Sequence, residues 1–241
     1  MTEYLSIARR FCGPPDSGNG GYTCGLVAAH VPGPAEVTLR RPPPLETPLA
    51  VVRQDNGIVS VLDGETLIAE GAPAPGDLAI DIPAPPSVEQ ARAAGAASRF
   101  RRRPHEHPFP TCFVCGPNRE PGDGLGILVA PVPGREVSAD VWQPDAALAG
   151  ADGQLGSEFT WAALDCASGI GAMGDSVPEG PPFVLGRLSV RQLGPTVPGE
   201  PHIVIGWRVG GEGRKLLAGS ALFTSRKELV AHARATWIRL A

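Results

Sequence analysis

Two segments, GYTCGLVAAH at residues 21–30 and FTWAALDCASGIGA at residues 159–172, consist almost entirely of small and apolar side chains. Read as helices they have almost no polar face, and a helix of that kind must be enclosed by other structure. Each is followed by four stretches rich in Val, Ile, Leu and Thr. After the first come EVTLRRPPP, LAVVR, IVSVL and TLIAEG; after the second come RLSVRQLGP, HIVIGWRV, KLLAGSALFT and ARATWIRL. These stretches predict strands, so the chain runs helix then strands, twice. A curved antiparallel sheet wrapped around each helix satisfies the enclosure. The 31 glycines and 27 prolines in 241 residues, about twice the ordinary share, exclude an all-helical bundle.

The two halves also align residue by residue. Tyr22-Thr23 lies over Phe159-Thr160, Val37-Thr38-Leu39-Arg40 over Leu188-Ser189-Val190-Arg191, and Gly64 to Ala69 over Gly213 to Ala218. Three matches in one order predict a tandem duplication. The second half has a long lead-in, CFVCGPNREPGDGLGI, and a strand pair around REVSADVW, so the first half reads as a trimmed copy. Between them, residues 80–110 carry prolines at both ends of an Ala-rich stretch. Ser87 with Gln90 three residues on predicts a capped helix from Val88 to Ser98. The expected division is a truncated first repeat at 1–83, a linker with one helix at 84–107, and a second repeat at 108–241.

Charge narrows the function classes. A formal net charge of −4 and a pI near 5.7 give no overall field to gather nucleic acid or an anionic membrane. The opening residues MTEYLSIARRFCGPP lack the apolar core of a secretory signal, and no apolar run reaches the roughly 18 residues of a membrane span. The expectation is a cytoplasmic protein. The five cysteines are odd in number and sparse, which favours reduced thiols over a disulfide scaffold. The basic run Arg99, Arg101, Arg102 and Arg103 reads as a solvated helix end, with phosphate binding as the alternative. The four tryptophans at 142, 161, 207 and 237 are too dispersed for a nucleic-acid stacking platform.

Asp165 is the sharpest chemical signal. It sits between Ala162, Ala163, Leu164 and Cys166 in a helix expected to be enclosed, where an unpaired acid costs several kcal/mol. Desolvation there would raise its pKa toward the range useful to a general base; the alternative is an acid bonded to backbone, Arg187 or Arg191. His105, His107, Cys112 and Cys115 offer four nitrogen and sulfur atoms in eleven residues, so zinc was weighed against a loop of small buried thiols. The spacing is compact and proline-interrupted, unlike a zinc finger, and neither a metal nor another cofactor is expected.

Cys112-Phe113-Val114-Cys115-Gly116, then Gly122-Asp123-Gly124-Leu125, then Leu164-Asp165-Cys166-Ala167-Ser168-Gly169 follow in the order of a known pattern. With a buried helix in a curved sheet, the chain resembles the hotdog-fold acyl-CoA thioesterase superfamily in its tandem, double-hotdog form. The likeness covers about residues 108–241 directly and reaches residues 10–80 through the repeat. It departs at Gly156-Ser157-Glu158, where the superfamily has His-Gly-Gly; the first half has Asn19-Gly20-Gly21 there but Ala28 at the place of the acid.

The resemblance implies an α+β double hotdog: two curved antiparallel sheets, each around a central helix, side by side with their surfaces joined. It implies hydrolysis of an acyl thioester by a carboxylate general base or nucleophile, Asp165, with an oxyanion hole at a helix N-terminus. Asn19, Gly20 and Gly21 would bind the substrate, with Gly21 N–H as the donor. They would face Asp165 across the repeats, about 6 to 9 Å from Gly21 N to the carboxylate if one carbonyl and a water lie between. The mirror site, Gly156-Ser157 opposite Ala28, would be inactive. Ser168 would hold the attacking water or bond back to the Leu164 carbonyl, and Glu158 would favour its helix dipole. The expected partner is acyl-CoA or another acyl thioester, with no nucleic acid and no membrane, and with further association of double-hotdog units left open. The alternative is a non-catalytic acyl-CoA or lipid-binding module. A hydratase is disfavoured because no histidine lies close to Asp165 in sequence, and an RNA-binding or regulatory role would rest on the Arg99–Arg103 run alone.

Overall fold

A computed structural model describes residues 3–76, 78–174 and 180–241. Residues 1–2 and 77 of the first expected repeat and 175–179 of the second lie outside the described residues. In chain order the elements are β1 (Glu3–Leu5), α1 (Gly20–Ala28), β2 (Ala35–Leu39), β3 (Leu49–Arg53), β4 (Val59–Asp63), β5 (Thr66–Pro73), α2 (Val88–Ala96) and α3 (Arg99–Arg102). They continue with β6 (Ala130–Pro131), β7 (Ser138–Trp142), α4 (Ser157–Met173), β8 (Phe183–Gln192), β9 (His202–Glu212), β10 (Lys215–Thr224) and β11 (Leu229–Arg239). Both apolar segments are helices, starting one and two residues before the segments read from the sequence.

The strands form one sheet of 11 strands rather than two, in the order β1-β3-β4-β5-β2-β8-β11-β10-β9-β7-β6. Every pairing is antiparallel. The halves meet where β2 pairs with β8, with Val37 opposite Leu188, Glu36 opposite Ser189 and Thr38 opposite Arg187. Outward from that seam the order β2, β5, β4, β3, β1 is repeated as β8, β11, β10, β9, β7. The sequence match sets Val37 over Leu188, and these two residues face each other across the seam.

One of the three sequence matches does not survive. Gly64 and Gly213 both turn a tight hairpin in the left-handed region, at φ 58° and 57°, where an L side chain is strained. Gly64 joins β4 to β5, however, and Gly213 joins β9 to β10. The strand order makes β4–β5 equivalent to β10–β11, so the match reports the local demands of a hairpin turn and not the duplication.

The sheet encloses the two helices because they are made small where backbones meet. A Cβ at Gly171 would overlap the backbone of Gly206, and one at Gly206 would overlap the Ala167 carbonyl, so β9 runs against the bare backbone of α4. Thirteen of the 17 residues of α4 are buried. Around α1, Phe11 stacks on Tyr22 at 4.1 Å and meets Phe113 edge-on at 4.9 Å, while Tyr22 and Phe159 approach to 5.7 Å. Those four rings come from both halves and from the lead-in, and tie them into one core.

The linker helix α2 carries the expected capping box between Ser87 and Gln90 and ends at Ala96, two residues early. It lays Ala91 and Ala94 against Val137, Ala139 and Ile205 in a second apolar cluster outside the sheet. The basic run is committed internally: Arg101 donates to the Gly95 and Gly126 carbonyls and to Asp140, and Arg99 and Arg103 pair with Glu106. Among the described residues no helix is long and apolar enough to cross a membrane.

Candidate active site

The site is built where α1 crosses α4. Asn19 is the N-cap of α1 and accepts from the Tyr22 amide through Oδ1 at 2.8 Å. An N-cap amide side chain has its carbonyl end spent in this way and its NH₂ end left to point elsewhere. Nδ2 of Asn19 points at Asp165 Oδ2, 3.4 Å away, and at the sulfurs of Cys112 and Cys166 at 3.6 and 3.8 Å. The next free amide of the helix N-terminus, Gly21 N–H, donates to the same Asp165 Oδ2 at 2.7 Å.

Such contact requires glycine. A Cβ at Gly21 would overlap Asp165 Cβ and the Trp161 carbonyl, and one at Gly25 would overlap Glu158. The two glycines, four residues apart on one face of α1, let the helices touch along their backbones.

The separation of about 6 to 9 Å expected between Gly21 N and the carboxylate is therefore corrected to a direct hydrogen bond. With no Cβ between the helices, the amide reaches the acid itself and no carbonyl fits between them.

Asp165 is buried, 2% exposed. Burial pushes its pKa up to about 8; the bonds from Gly21 N–H and Asn19 oppose that, and charge on Cys112 adds to it. Oδ1 is buried and has no hydrogen-bond partner among the described residues. That leaves one acceptor oxygen uncommitted, although an unsatisfied buried acceptor is costly. Arg187, one alternative partner, bonds Thr38 and Glu36 instead.

Asp140 shows what a purely structural buried acid looks like in the same chain. Its two oxygens accept from Arg101, the Leu128 amide and the Val141 amide at 2.7 to 2.9 Å. Sequence reasoning passed over it, although Ser138, Asp140 and Trp142 alternate along one strand and so share its inner face.

The crossing opens on a cavity of about 580 Å³. Its walls include Asn19, Gly20, Asp165, Cys112, Cys115 and Cys166, with apolar lining from Leu39, Ile170, Phe183, Leu185 and Trp237. Arg40 and Arg41 line it too while being exposed, which puts them at its mouth. Neither arginine was singled out from the sequence.

Ser168, expected to bind substrate, is corrected: it is fully buried and does not line this cavity. Its hydroxyl donates to the Asp165 backbone carbonyl at 2.7 Å and accepts from Trp237 Nε1 at 2.9 Å. The back-bond goes one residue later than expected because the Leu164 carbonyl already accepts from Ser220. Ser168 braces the turn of α4 that carries the acid.

His105 and His107, weighed with Cys112 and Cys115 as a zinc set, are not in the thiol cluster. His107 Nδ1 accepts from the Phe109 amide and its ring packs on Phe100. Cys166 takes the place, with the sulfurs of Cys112, Cys115 and Cys166 all within 4.8 Å of one another. Bonds from the Cys115 and Cys166 thiols, and from the Cys115 and Val114 amides, hold the Cys112 thiol well below its ordinary value. The same sharing pushes Cys115 and Cys166 up.

At the mirror crossing, Gly156 caps α4 without a side-chain bond, Glu158 lies in the first turn, and Ala28 stands where the acid would be.

Solved structures share this architecture. An acyl-CoA thioesterase II of Mycobacterium marinum is 14% identical at a TM-score of 0.57, over 100% of this chain and 96% of that one. A protein of Alicyclobacillus acidocaldarius described as having a hot dog fold is 11% identical at a TM-score of 0.57, over 99% and 92%. The chain has a hotdog fold. The TesB protein of Mycobacterium avium subspecies paratuberculosis extends the comparison, 14% identical at a TM-score of 0.57 over 95% of this chain and 90% of that one. No protein-family model matches the chain, and no curated protein matches it by sequence. The hotdog helix is thus the element that carries Asp165, and the α1 N-terminus is what meets it.

Proposed function

We propose that the protein is a double hotdog, with repeats at 1–83 and 108–241 joined by 84–107, that hydrolyses an acyl-CoA thioester. The observation that carries this reading is Asp165, a buried carboxylate with one oxygen anchored by the α1 N-terminus and the other uncommitted, in the wall of a largely apolar cavity. Cavity walls of Leu, Ile and Phe suit an acyl chain, and the exposed arginines at its mouth suit the phosphates of coenzyme A. The named thioesterases among the fold's relatives support the same substrate class.

In the proposed reaction Asp165 Oδ1 takes a proton from water as the water oxygen attacks the thioester carbonyl carbon. The carbonyl oxygen is received by the first turn of α1. Gly21 N–H is committed to Asp165, so the donor assigned here is Gly20 N–H, one residue earlier and on the cavity wall. Collapse of the tetrahedral intermediate breaks the carbon–sulfur bond, and the proton held by Asp165 passes to the departing thiolate. The products are a carboxylic acid and coenzyme A.

One observation favours a second reading, an acyl-CoA or lipid-binding module without turnover: Asp165 Oδ1 is covered in the free protein and its neighbouring amide is already occupied. Release of free thiol from a panel of acyl-CoAs, measured beside thermal stability, separates the two. Hydrolysis that falls by about 10² to 10⁴ in Asp165→Asn supports the enzyme. A stability shift with no thiol release supports the binding module, and neither effect with any acyl-CoA rejects both.

A further inference from the structure

The thiol cluster has a geometry that the hydrolysis above does not use. Cys112 and Cys115 sit in a tight turn in which the Gly116 amide donates to the Cys112 carbonyl at 2.8 Å. A Cβ at Gly116 would press on the Cys112 backbone and the Pro110 carbonyl, so the turn is specific to Cys-x-x-Cys-Gly. The third sulfur comes from the rigid helix α4, and Cys112 Sγ and Cys166 Sγ are 3.8 Å apart. Two sulfurs of a tetrahedral zinc site, each about 2.3 Å from the ion, are likewise about 3.8 Å apart. Asn19 Nδ2 stands over both sulfurs as a further donor.

We propose that Cys112, Cys115 and Cys166 bind one zinc ion through three thiolates, leaving its fourth position for a water on the cavity side. All three residues line the cavity, and three protein ligands with one open position is the pattern of accessible rather than closed zinc. Among the described residues neither Asp165 nor His107 belongs to the cluster of ligand atoms, and the proposal gives the fourth position to water. Binding releases the three thiol protons to solvent, and no electron is transferred. Ion and thiolates together carry a net charge of −1, toward which Asn19 Nδ2 points as a donor. The proposal stands on the sulfur geometry and does not depend on hydrolysis.

The test uses the full chain, purified under reducing conditions, with zinc alone and with cobalt(II) as a spectroscopic probe. The expected result is one zinc per chain after dialysis against zinc-free buffer. Cobalt should give a sulfur-to-metal charge-transfer band in the near ultraviolet and the strong visible absorption of a tetrahedral site. Cys166→Ser should abolish retention, while His105→Ala, an exposed histidine outside the cluster, should keep it. Should Cys166→Ser fail to fold, the cobalt spectrum of the native chain decides, since it reports thiolate ligation directly. No retained ion, a cobalt spectrum without thiolate bands, retention that survives Cys166→Ser, or a Cys112–Cys166 disulfide in the reduced preparation would each overturn the site.

Discussion

The two ends at which α1 and α4 cross differ in what their first turns carry. At one, α1 begins with an amide-capped Asn-Gly-Gly and meets an acid in mid-α4. At the other, α4 begins with an uncapped Gly-Ser-Glu, and Glu158 packs against Gly25 of α1. The surrounding strands differ in the same sense: β2 to β4 have five residues each, whereas β8 to β11 have ten or eleven. The lesson is a division of labour in which the longer half encloses and aims the acid, while the shorter half supplies a bare, capped helix end to hold it.

The largest expected effect separates the two crossings by chemistry. Asp165→Asn should lower thiol release by about 10² to 10⁴, while Glu158→Gln at the mirror crossing should leave it near the native rate; equal losses would erase the distinction. Next comes packing. Gly21→Val forces a side chain into the Asp165 and Trp161 backbone contact and should cost about 1 to 3 kcal/mol or more in denaturant unfolding. Ser157→Val, on an exposed first turn, should stay within about 0.5 kcal/mol. A neutral Gly21→Val would mean the helices are not in backbone contact.

Capping sets a smaller difference. Asn19→Ala removes the bond to the Tyr22 amide and should cost about 1 kcal/mol, whereas Gly156→Ala removes no side-chain cap bond and should cost clearly less; unfolding midpoints compare them.

The smallest effect is the pH dependence that His202 contributes in the second half. His202 is buried, its Nδ1 donating to the Glu200 carbonyl at 2.8 Å. Burial, opposed by that bond, lowers its pKa below the ordinary 6.5. Because the folded state disfavours the proton, this stability is present above pH 6.5 and is lost as pH falls through the folded value. His202→Gln should flatten that decline in an unfolding series from pH 7 to 5; an unchanged slope would assign it elsewhere.

Much of the fold was legible because its strongest constraint is compositional. Helices with no polar face demanded enclosure, and the Val37–Leu188 match lies on the seam between the halves. The third match misled because a two-residue turn asks for glycine wherever it occurs, so Gly64 and Gly213 resemble each other without being equivalent. Asp165 was legible from its apolar neighbours, but its partner distance was not: only the packed helices show that Gly21 has nothing to keep the amide from the acid. Cys166 was hidden as a cluster member since its partner Cys112 lies 54 residues away in sequence. His105 and His107 looked like ligands through proximity along the chain, and packing on Phe100 took His107 elsewhere.

The most direct test of the composite site is the rate of the Asn19→Ala, Asp165→Asn double variant set beside the two single variants. If Asn19 acts on the reaction through the carboxylate it faces, the second substitution has nothing left to remove, and the double variant should hydrolyse acyl-CoA no more slowly than Asp165→Asn alone. Losses that multiply would show the two residues acting independently, and would contradict a single site assembled from both halves of the chain.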